Sequence, residues 1–321
     1  MTGAGSRWFA ASLALLGAVI GGLFFLLSSA TTPSHVYQIT EKIRIGLKDI
    51  QKLKGISAHI HGYKPFNREP RHVMQKARDL TSRFNTLLQQ TKLTFDVLPI
   101  FPVRKVTPKD VSIQVQQLWE GVVRLREHNS LPQNLSEEVP LVRGKNATDI
   151  YANLEDIEDM LESLGAPKIV AEDVFRLAIT IRDDISFIMQ TAFHTCEQTS
   201  QQPSRGKTAA DVYYLAFHNL GNLHELTRRK FGDYAPVNLQ VPQLKRKPVS
   251  SKNVFDFLDL MLADVGALKH ALNIQKQSKI NRLYAYKSAS DVFDIMITVS
   301  NQLNCVLGLE NKTDDKDHHS G

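Results

Sequence analysis

The sequence contains none of the common signatures of an enzyme active site. No Gly-x-Ser-x-Gly segment occurs, so the nucleophile elbow of the α/β-hydrolases is absent. Residues 206–208 (Gly-Lys-Thr) resemble the end of a phosphate-binding loop, but Gln201 stands where that loop requires glycine. The Glu-x-x-His spacing of di-iron bundles occurs once, at Glu69 and His72, whereas such sites use two copies. We therefore predict a protein that is not an enzyme and that holds no cofactor and no metal ion.

Cysteines and strand-like patterns are scarce. The two cysteines, Cys196 and Cys305, allow a single intramolecular disulfide. Both lie in helical patterns, where a free cysteine behaves as a small buried hydrophobe, so the sequence leaves both states open. No window alternates apolar and polar residues for long enough to indicate a sheet, and the best candidate, Leu93–Val103, contains two prolines. An all-α fold is the consequence.

Charge is neither strong nor concentrated. The net charge is +6, and the basic residues are spread along the chain rather than gathered in an arm. This distribution predicts no nucleic-acid partner. Hydrophobic residues make up 42% of the chain, enough for a globular core, and no shift in composition separates two domains. We predict one elongated body at residues 31–310 and a disordered polar tail at residues 311–321.

The N-terminal segment carries the longest apolar run. Residues 1–7 form a short leader, and no charged residue occurs from Trp8 to Leu27. About 20 apolar residues in a helix match the hydrocarbon thickness of a bilayer. The run is also longer than the apolar part of a typical cleaved signal peptide. The pattern predicts a transmembrane helix at residues 8–30, which is an uncleaved signal anchor or else a cleaved signal peptide.

Flanking charges indicate the orientation of this segment. Arg7 favours a cytoplasmic leader, because basic residues flanking a membrane helix stay on the cytoplasmic side. Three basic residues after the run favour the opposite orientation: Lys42, Arg44 and Lys48. We predict that residues 31–321 lie outside the cytoplasm, which in a bacterial cell means the periplasm. Gly17 and Gly21 have the spacing that packs two membrane helices together, so the pattern permits a homo-oligomer.

One helix-start motif recurs along the body. Three segments are nearly superimposable: Lys145–Tyr151, Lys207–Tyr213 and Lys287–Phe293. Thr107–Val111 and Ser250–Phe255 are looser copies. The equivalent positions are 110, 149, 211, 253 and 291, so the steps between them are 39, 62, 42 and 38. A period of about 40 residues is typical of helical repeat proteins and predicts an elongated bundle of six to eight helices.

The motif has a structural explanation in helix capping. A short polar side chain stands at each N-cap position, where it accepts a hydrogen bond from the first helical turn: Thr107, Asn146, Thr208, Ser250 and Ser288. Three residues later an acidic or amide side chain completes a capping box: Asp110, Asp149, Asp211, Asn253 and Asp291. The lysine that precedes the cap in three copies has no such explanation, and we expect it to contribute to function.

Basic connectors precede the motif copies. Their candidate ligand-binding or partner-binding residues are Arg104, Lys105, Arg143, Lys145, Arg205, Lys207, Lys245 and Lys287. If the motif helices share a direction, these side chains gather at one pole and attract an anion; otherwise each is simply solvated. An acidic stripe at Glu155, Glu158, Asp159 and Glu162 is either a cation site or a solvated face that meets a basic neighbour.

Together these features favour a binding or assembly protein. The first prediction is a membrane-anchored extracytoplasmic scaffold that binds a protein partner with its helical surface. The alternative is an extracytoplasmic module that binds an anionic polymer, such as a polysaccharide, or a small anion at a basic pole of the bundle. The two differ in their response to salt, because ionic contacts weaken as ionic strength rises.

Overall fold

The computed structural model describes residues 31–309, except 58–59, 61, 63–66, 94–102, 136–138, 194–201, 233–234, 236, 240, 243–247 and 279–283. This part of the chain contains eight helices and no strand, which confirms the all-α prediction. The helices are α1 Pro33–Leu53, α2 Pro70–Gln90, α3 Pro108–His128, α4 Ala147–Ser163, α5 Ala171–Ala192, α6 Ala209–Phe231, α7 Ser251–Ala271 and α8 Ala289–Leu307.

The predicted leader, membrane segment and C-terminal tail fall on residues 1–30 and 310–321, outside the described residues. None of the helices between residues 31 and 309 is long and apolar enough to span a bilayer.

The eight helices form two bundles, each with its own core. One core draws its buried apolar side chains from α1–α4, together with Leu260 of α7. The other draws them from α5–α8. The sequence predicts one elongated body at residues 31–310, because no shift in composition along the chain separates two parts. The boundary between the two bundles is visible only in the lengths of the connectors between helices. Residues 164–170 form the connector that joins the bundles, and every other connector is more than twice as long.

Both bundles have the same topology. In the first bundle α1 and α2 each pack against α3 and α4, and in the second α5 and α6 each pack against α7 and α8. The helices α1–α4 start at positions 33, 70, 108 and 147, and α5–α8 start at 171, 209, 251 and 289, so the differences are 138, 139, 143 and 142. The higher-order repeat is therefore a four-helix bundle, and the chain is an internal duplication.

Helices within a bundle run in the same direction. Near the starts of α1 and α4, the Lys145 backbone N–H donates to Ser34 Oγ (3.3 Å), and near their ends Gln51 Nε2 donates to Ser163 Oγ (2.7 Å). In the second bundle, the Lys207 N–H donates to Ser290 Oγ (3.1 Å) at the starts of α6 and α8. Each connector within a bundle must therefore return along the bundle, which an extended chain can do because it advances about 3.3 Å per residue against about 1.5 Å in a helix.

Buried cations occupy the same register in α3 and α7. Arg126 of α3 and Lys269 of α7 stand at equivalent positions counted from the helix starts at 108 and 251, and both are buried. Arg126 donates from Nη1 to Gly46 O (3.5 Å) in the C-terminal half of α1. Lys269 Nζ donates to Asp184 Oδ1 (2.6 Å) in the C-terminal half of α5. Gly46 and Asp184 are also equivalent, counted from the helix starts at 33 and 171. Both bundles therefore have a buried cation that donates to the facing helix at the same position, although the residues differ.

Gly46→Ala is expected to lower the free energy of unfolding by about 1–3 kcal/mol, because overpacking a tight core forces side chains and backbone to shift. A Cβ at this position would lie 2.8 Å from Val122 Cγ1 and 3.2 Å from Trp119 Cζ3. The matched control is Gly221→Ala, whose Cβ meets nothing within 4 Å. It should stabilise the helix by up to about 1 kcal/mol. Urea unfolding followed by circular dichroism gives both values, and a Gly46→Ala variant as stable as Gly221→Ala would refute the close approach of α1 and α3.

Candidate functional site

The capping boxes lie at the starts of α3, α4, α6, α7 and α8. Asn146 Oδ1 accepts from the backbone N–H groups of Thr148 (2.8 Å) and Asp149 (3.2 Å), and the Ser288 N–H donates to Asp291 Oδ2 (2.9 Å). The remaining cap pairs are Thr107 with Asp110, Thr208 with Asp211, and Ser250 with Asn253. These residues have structural roles at the helix starts.

Among the basic candidates, Arg104 has a partner in the first turn of the helix that follows its connector. Its guanidinium donates to Asp110 Oδ2 (2.9 Å), and this bond, together with those from Thr107, lowers the pKa of Asp110 to about 2. Lys105, Arg143 and Arg205 are exposed. Lys245 lies outside the described residues.

The unexplained lysine of the motif rests on an aromatic ring of a neighbouring helix. Three ammonium groups lie 4.4–4.6 Å from ring centroids: Lys145 over Tyr37, Lys207 over Phe293 and Lys287 over Phe175. Arg68, two residues before α2, stacks over Tyr151 in the same way (4.9 Å). Cation–π contacts of this kind contribute about 0.5–1 kcal/mol at exposed sites. The lysine therefore joins helix starts, which gives it the structural explanation that the motif alone lacks.

A left-handed residue precedes each of these four cations. The φ angles are 36° at Asn67, 79° at Gly144, 68° at Gly206 and 58° at Tyr286. Glycine and asparagine adopt this conformation readily, but a tyrosine does so at a cost of about 1–2 kcal/mol. Tyr286 is 97% exposed, so packing does not offset that cost.

Tyr286→Gly is expected to raise the free energy of unfolding by about 1 kcal/mol, because glycine removes the left-handed strain. Thermal unfolding followed by circular dichroism measures the gain. Ala285→Gly is the control, and since Ala285 is not left-handed it should bring no gain. A destabilised Tyr286→Gly variant would show that the tyrosine ring makes a stabilising contact instead.

The basic connectors do not gather at one pole, because the two bundles are antiparallel to each other. Arg71 Nε of α2 donates to Asp264 Oδ1 of α7 (2.7 Å), and Lys76 Nζ of α2 donates to Asp256 Oδ1 of α7 (2.9 Å). Residue numbers therefore rise along α2 as they fall along α7, so the two helices are antiparallel. The helix start after Lys145 therefore points opposite to those after Lys207 and Lys287. The sequence could not show this, since it depends on how the bundles dock.

A buried ionic cluster lies where the bundles meet. The ammonium of Lys76 is 3.1 Å from Glu155 Oε1, 2.6 Å from Glu158 Oε2 and 2.9 Å from Asp256 Oδ1. Lys76 is 1% exposed and Glu158 is fully buried. Burial alone would lower the pKa of Lys76, but the three carboxylates outweigh it and raise the pKa well above its usual value. Glu158 also pairs with Arg83 and Lys252. The cluster ties α2 and α4 to α7.

This cluster contains two residues of the acidic stripe, Glu155 and Glu158, for which the sequence allows either a cation site or a face that meets a basic neighbour. Glu155, Glu158 and Asp256 bring carboxylate oxygens within 4.8 Å of one another, a spacing that suits a metal ion. Lys76 Nζ lies within 3.1 Å of all three carboxylates and already supplies the positive charge. Glu162 pairs with Arg83, and Asp156 with Arg44. The stripe meets basic neighbours, as one of the two sequence predictions had it, but much of it is buried rather than solvated.

A second polar group extends the interface along α2 and α7. His72 Nε2 lies 2.8 Å from Asp264 Oδ1, and burial lowers the pKa of His72 despite that carboxylate. Gln75 Nε2 donates to Asp259 Oδ1 (2.9 Å), and burial raises the pKa of Asp259 well above its usual value. Burial likewise raises the pKa of Asp79 to about 6. The interface thus holds carboxyl groups whose ionisation opposes folding.

Two helices lack the third neighbour that their counterparts have. Both α2 and α7 pack against three helices, because they also pack against each other. Among the described helices, their counterparts α6 and α3 pack against two each. The uncovered faces carry exposed apolar side chains, with Ile113 of α3 55% exposed and Tyr214 of α6 45% exposed. We call these surfaces the α3 face and the α6 face; sequence reasoning missed both, because Ile113 and Tyr214 continue ordinary helical patterns.

One cysteine can be placed. Cys305, near the end of α8, is disulfide-bonded. The only other cysteine of the chain, Cys196, lies outside the described residues.

Comparison of the chain with protein-family models, with curated proteins and with solved structures finds no match.

Proposed function

We propose that the chain is a membrane-anchored extracytoplasmic scaffold that binds a protein partner through its α3 and α6 faces. The observation that carries this proposal is the pair of uncovered helices whose counterparts, α7 and α2, dock on each other. A single exposed apolar side chain is ordinary on a protein surface, so these two faces are distinguished by the docking of their counterparts and not by exposure alone. Ile113 and Tyr214 supply such side chains on the two faces.

The disulfide at Cys305 supports an extracytoplasmic location. Disulfides persist in oxidising compartments such as the periplasm and are rare in the cytoplasm. The bonded state of Cys305 therefore agrees with bundles that lie outside the cytoplasm.

Binding of an anionic ligand is the second candidate. It rests on Lys105, Arg143 and Arg205, which are exposed just before helix starts, where helix dipoles favour anions. It is weaker than the scaffold proposal, because Lys145, Lys207 and Lys287 are engaged with rings. If this candidate holds, the chain binds a polyanion such as heparin, and replacing Lys105, Arg143 and Arg205 by glutamate should abolish that binding. If it does not hold, the same replacement should leave protein capture unchanged.

Ile113→Lys and Tyr214→Lys are each expected to reduce partner capture at least tenfold, because each places a charge within an apolar contact. The full chain is captured from detergent-solubilised membranes, and co-purifying proteins are quantified by mass spectrometry. Leu53→Lys is the matched control, since Leu53 is equally exposed (56%) but lies at the end of α1. A protein that is lost from both face variants, retained by the control and able to rebind the purified chain supports the proposal. Equal capture by all variants would refute it.

A further inference from the structure

The contact between α2 and α7 is a template for a second contact that the chain does not make within itself. Internal duplication maps α2 onto α6, whose starts are at positions 70 and 209, and α7 onto α3, whose starts are at positions 251 and 108. Each residue pair of the α2–α7 interface therefore has a counterpart pair on the α6 and α3 faces. These counterpart faces do not meet within one chain, because among the described helices α3 packs only against α1 and α2, and α6 only against α7 and α8.

Most residues of the ionic cluster have uncharged counterparts, although Lys252, which also contacts Glu158, corresponds to Lys109. The internal cluster consists of Lys76, Asp256, Glu155 and Glu158. Their counterparts are Leu215, Ile113, Ile297 and Ser300. Three charged groups have become aliphatic, and they belong to both sides of the contact. A set of ion pairs replaced by well-packed aliphatic side chains keeps an interface or strengthens it.

The neighbouring polar pair keeps its polar character. Gln75 donates to Asp259 in the internal interface (2.9 Å). The counterparts are Tyr214 and Gln116, both exposed, and a phenol and an amide can form the same kind of hydrogen bond. The counterpart faces are thus complementary at the positions of the Lys76 cluster and of the Gln75–Asp259 pair, whereas the contact of Arg71 and His72 with Asp264 has no polar counterpart pair, because Gly121 stands at the position of Asp264.

We infer that the occupant of these faces is a second copy of this chain, whose α3 face docks on the α6 face of the first in the antiparallel arrangement of α7 on α2. This inference rests on the proposed function, for which it names the partner. Such a contact is heterologous, since it joins two different surfaces, and it leaves one free face at each end of the pair. Repetition therefore generates a head-to-tail row of bundles, or a ring where the rotation closes.

The different chemistry of the two interfaces fixes the order of the bundles. An aliphatic α6 face cannot replace α2 on α7, because it would leave the buried Asp264 without Arg71, and the partly buried Asp256 without Lys76. Uncompensated buried charges are strongly unfavourable. The ionic interface stays within a chain, and the apolar interface joins chains.

The experiment is a complementation assay with two face variants of the full chain in detergent. Ile113→Lys blocks the α3 face and leaves the α6 face intact, whereas Tyr214→Lys does the reverse. Analytical ultracentrifugation should find oligomers for the wild-type chain and for Leu53→Lys, and monomers for each face variant alone. An equimolar mixture of the two face variants should form a heterodimer that does not extend, because one intact α6 face meets one intact α3 face.

Circular dichroism establishes that each variant keeps its helices, and since both substitutions are at exposed positions, folding is expected to be retained. A monomeric wild-type chain, face variants that self-associate like the wild type, or a mixture that stays monomeric would each overturn the inference. A monomeric wild-type chain that still loses a captured partner protein on Ile113→Lys or Tyr214→Lys would overturn it while leaving the proposed function intact. If the wild-type chain is monomeric and every variant captures the same proteins to the same extent, both the inference and the proposed function are refuted.

Discussion

Lys76→Met is expected to lower the free energy of unfolding by about 3–5 kcal/mol, because removing one partner of a buried ion pair leaves uncompensated charge. The ammonium of Lys76 lies within 3.1 Å of three carboxylates, and Glu158 among them is fully buried. Methionine fills the space of the aliphatic part of the side chain but carries no charge, so the three carboxylates are left with Lys252, which is partly exposed, and, at Glu158, with Arg83. The effect is measured by urea unfolding of the full chain in detergent.

Two controls separate the buried charge from the loss of any lysine. Lys145→Met removes a partly exposed ammonium that contacts Tyr37 and Asp149, so its cost is expected at or below about 1 kcal/mol. Lys76→Met with Glu155→Gln should recover part of the loss, since burial already raises the pKa of Glu155 and without Lys76 the nearest cation to it is Lys252, 3.7 Å away. A Lys76→Met variant no less stable than Lys145→Met would show that the cluster does not hold the bundles together.

Lowering the pH from 7 to 5 is expected to strengthen the interface through Asp79. The pKa of this carboxyl group is raised to about 6 in the folded protein, chiefly by burial. The folded state therefore binds a proton more readily than the unfolded state, so its stability falls as pH rises through 6. From pH 7 to pH 5 the gain is about 1 kcal/mol from this group alone. Burial raises the pKa of Asp259 and of Glu155, so both act in the same direction.

His72 opposes this trend, because burial lowers its pKa and the fold therefore favours the neutral form, so that protonation as the pH falls favours unfolding. The comparison of wild type with Asp79→Asn isolates the carboxyl group. At pH 7 the variant is expected to be more stable by about 2 kcal/mol, and the difference should shrink at pH 5. Denaturant unfolding at both pH values gives the four numbers required. A difference that stays constant between pH 7 and pH 5 would contradict the raised pKa of Asp79.

The sequence predicts the local structure well and the assembly poorly. Caps such as Asn146 with Asp149 lie three residues apart, so the motif predicts the helix starts directly. Arg68 carries no such signal, because Glu69 precedes α2 where the other copies have serine, threonine or asparagine. The ring beneath each motif lysine lies on another helix, and that contact follows from parallel packing that the motif does not encode.

The pairing of bundles is hidden in the sequence for a different reason. The duplication has diverged at the positions that matter most, so that Lys76 corresponds to Leu215 and Asp256 to Ile113. The residue types of each pair do not show that the two positions are equivalent. Their equivalence is recognised only from the order of the helices and from the packing of each bundle. The same divergence gives the α3 and α6 faces their apolar character.

Photo-crosslinking in the native membrane tests directly whether the α3 and α6 faces bind protein. A photoreactive amino acid replaces Ile113 or Tyr214 in the full chain, with Leu53 as the reference position. We expect a discrete protein adduct from both face positions and none from position 53. Face positions that yield no more protein adduct than position 53 would contradict this expectation.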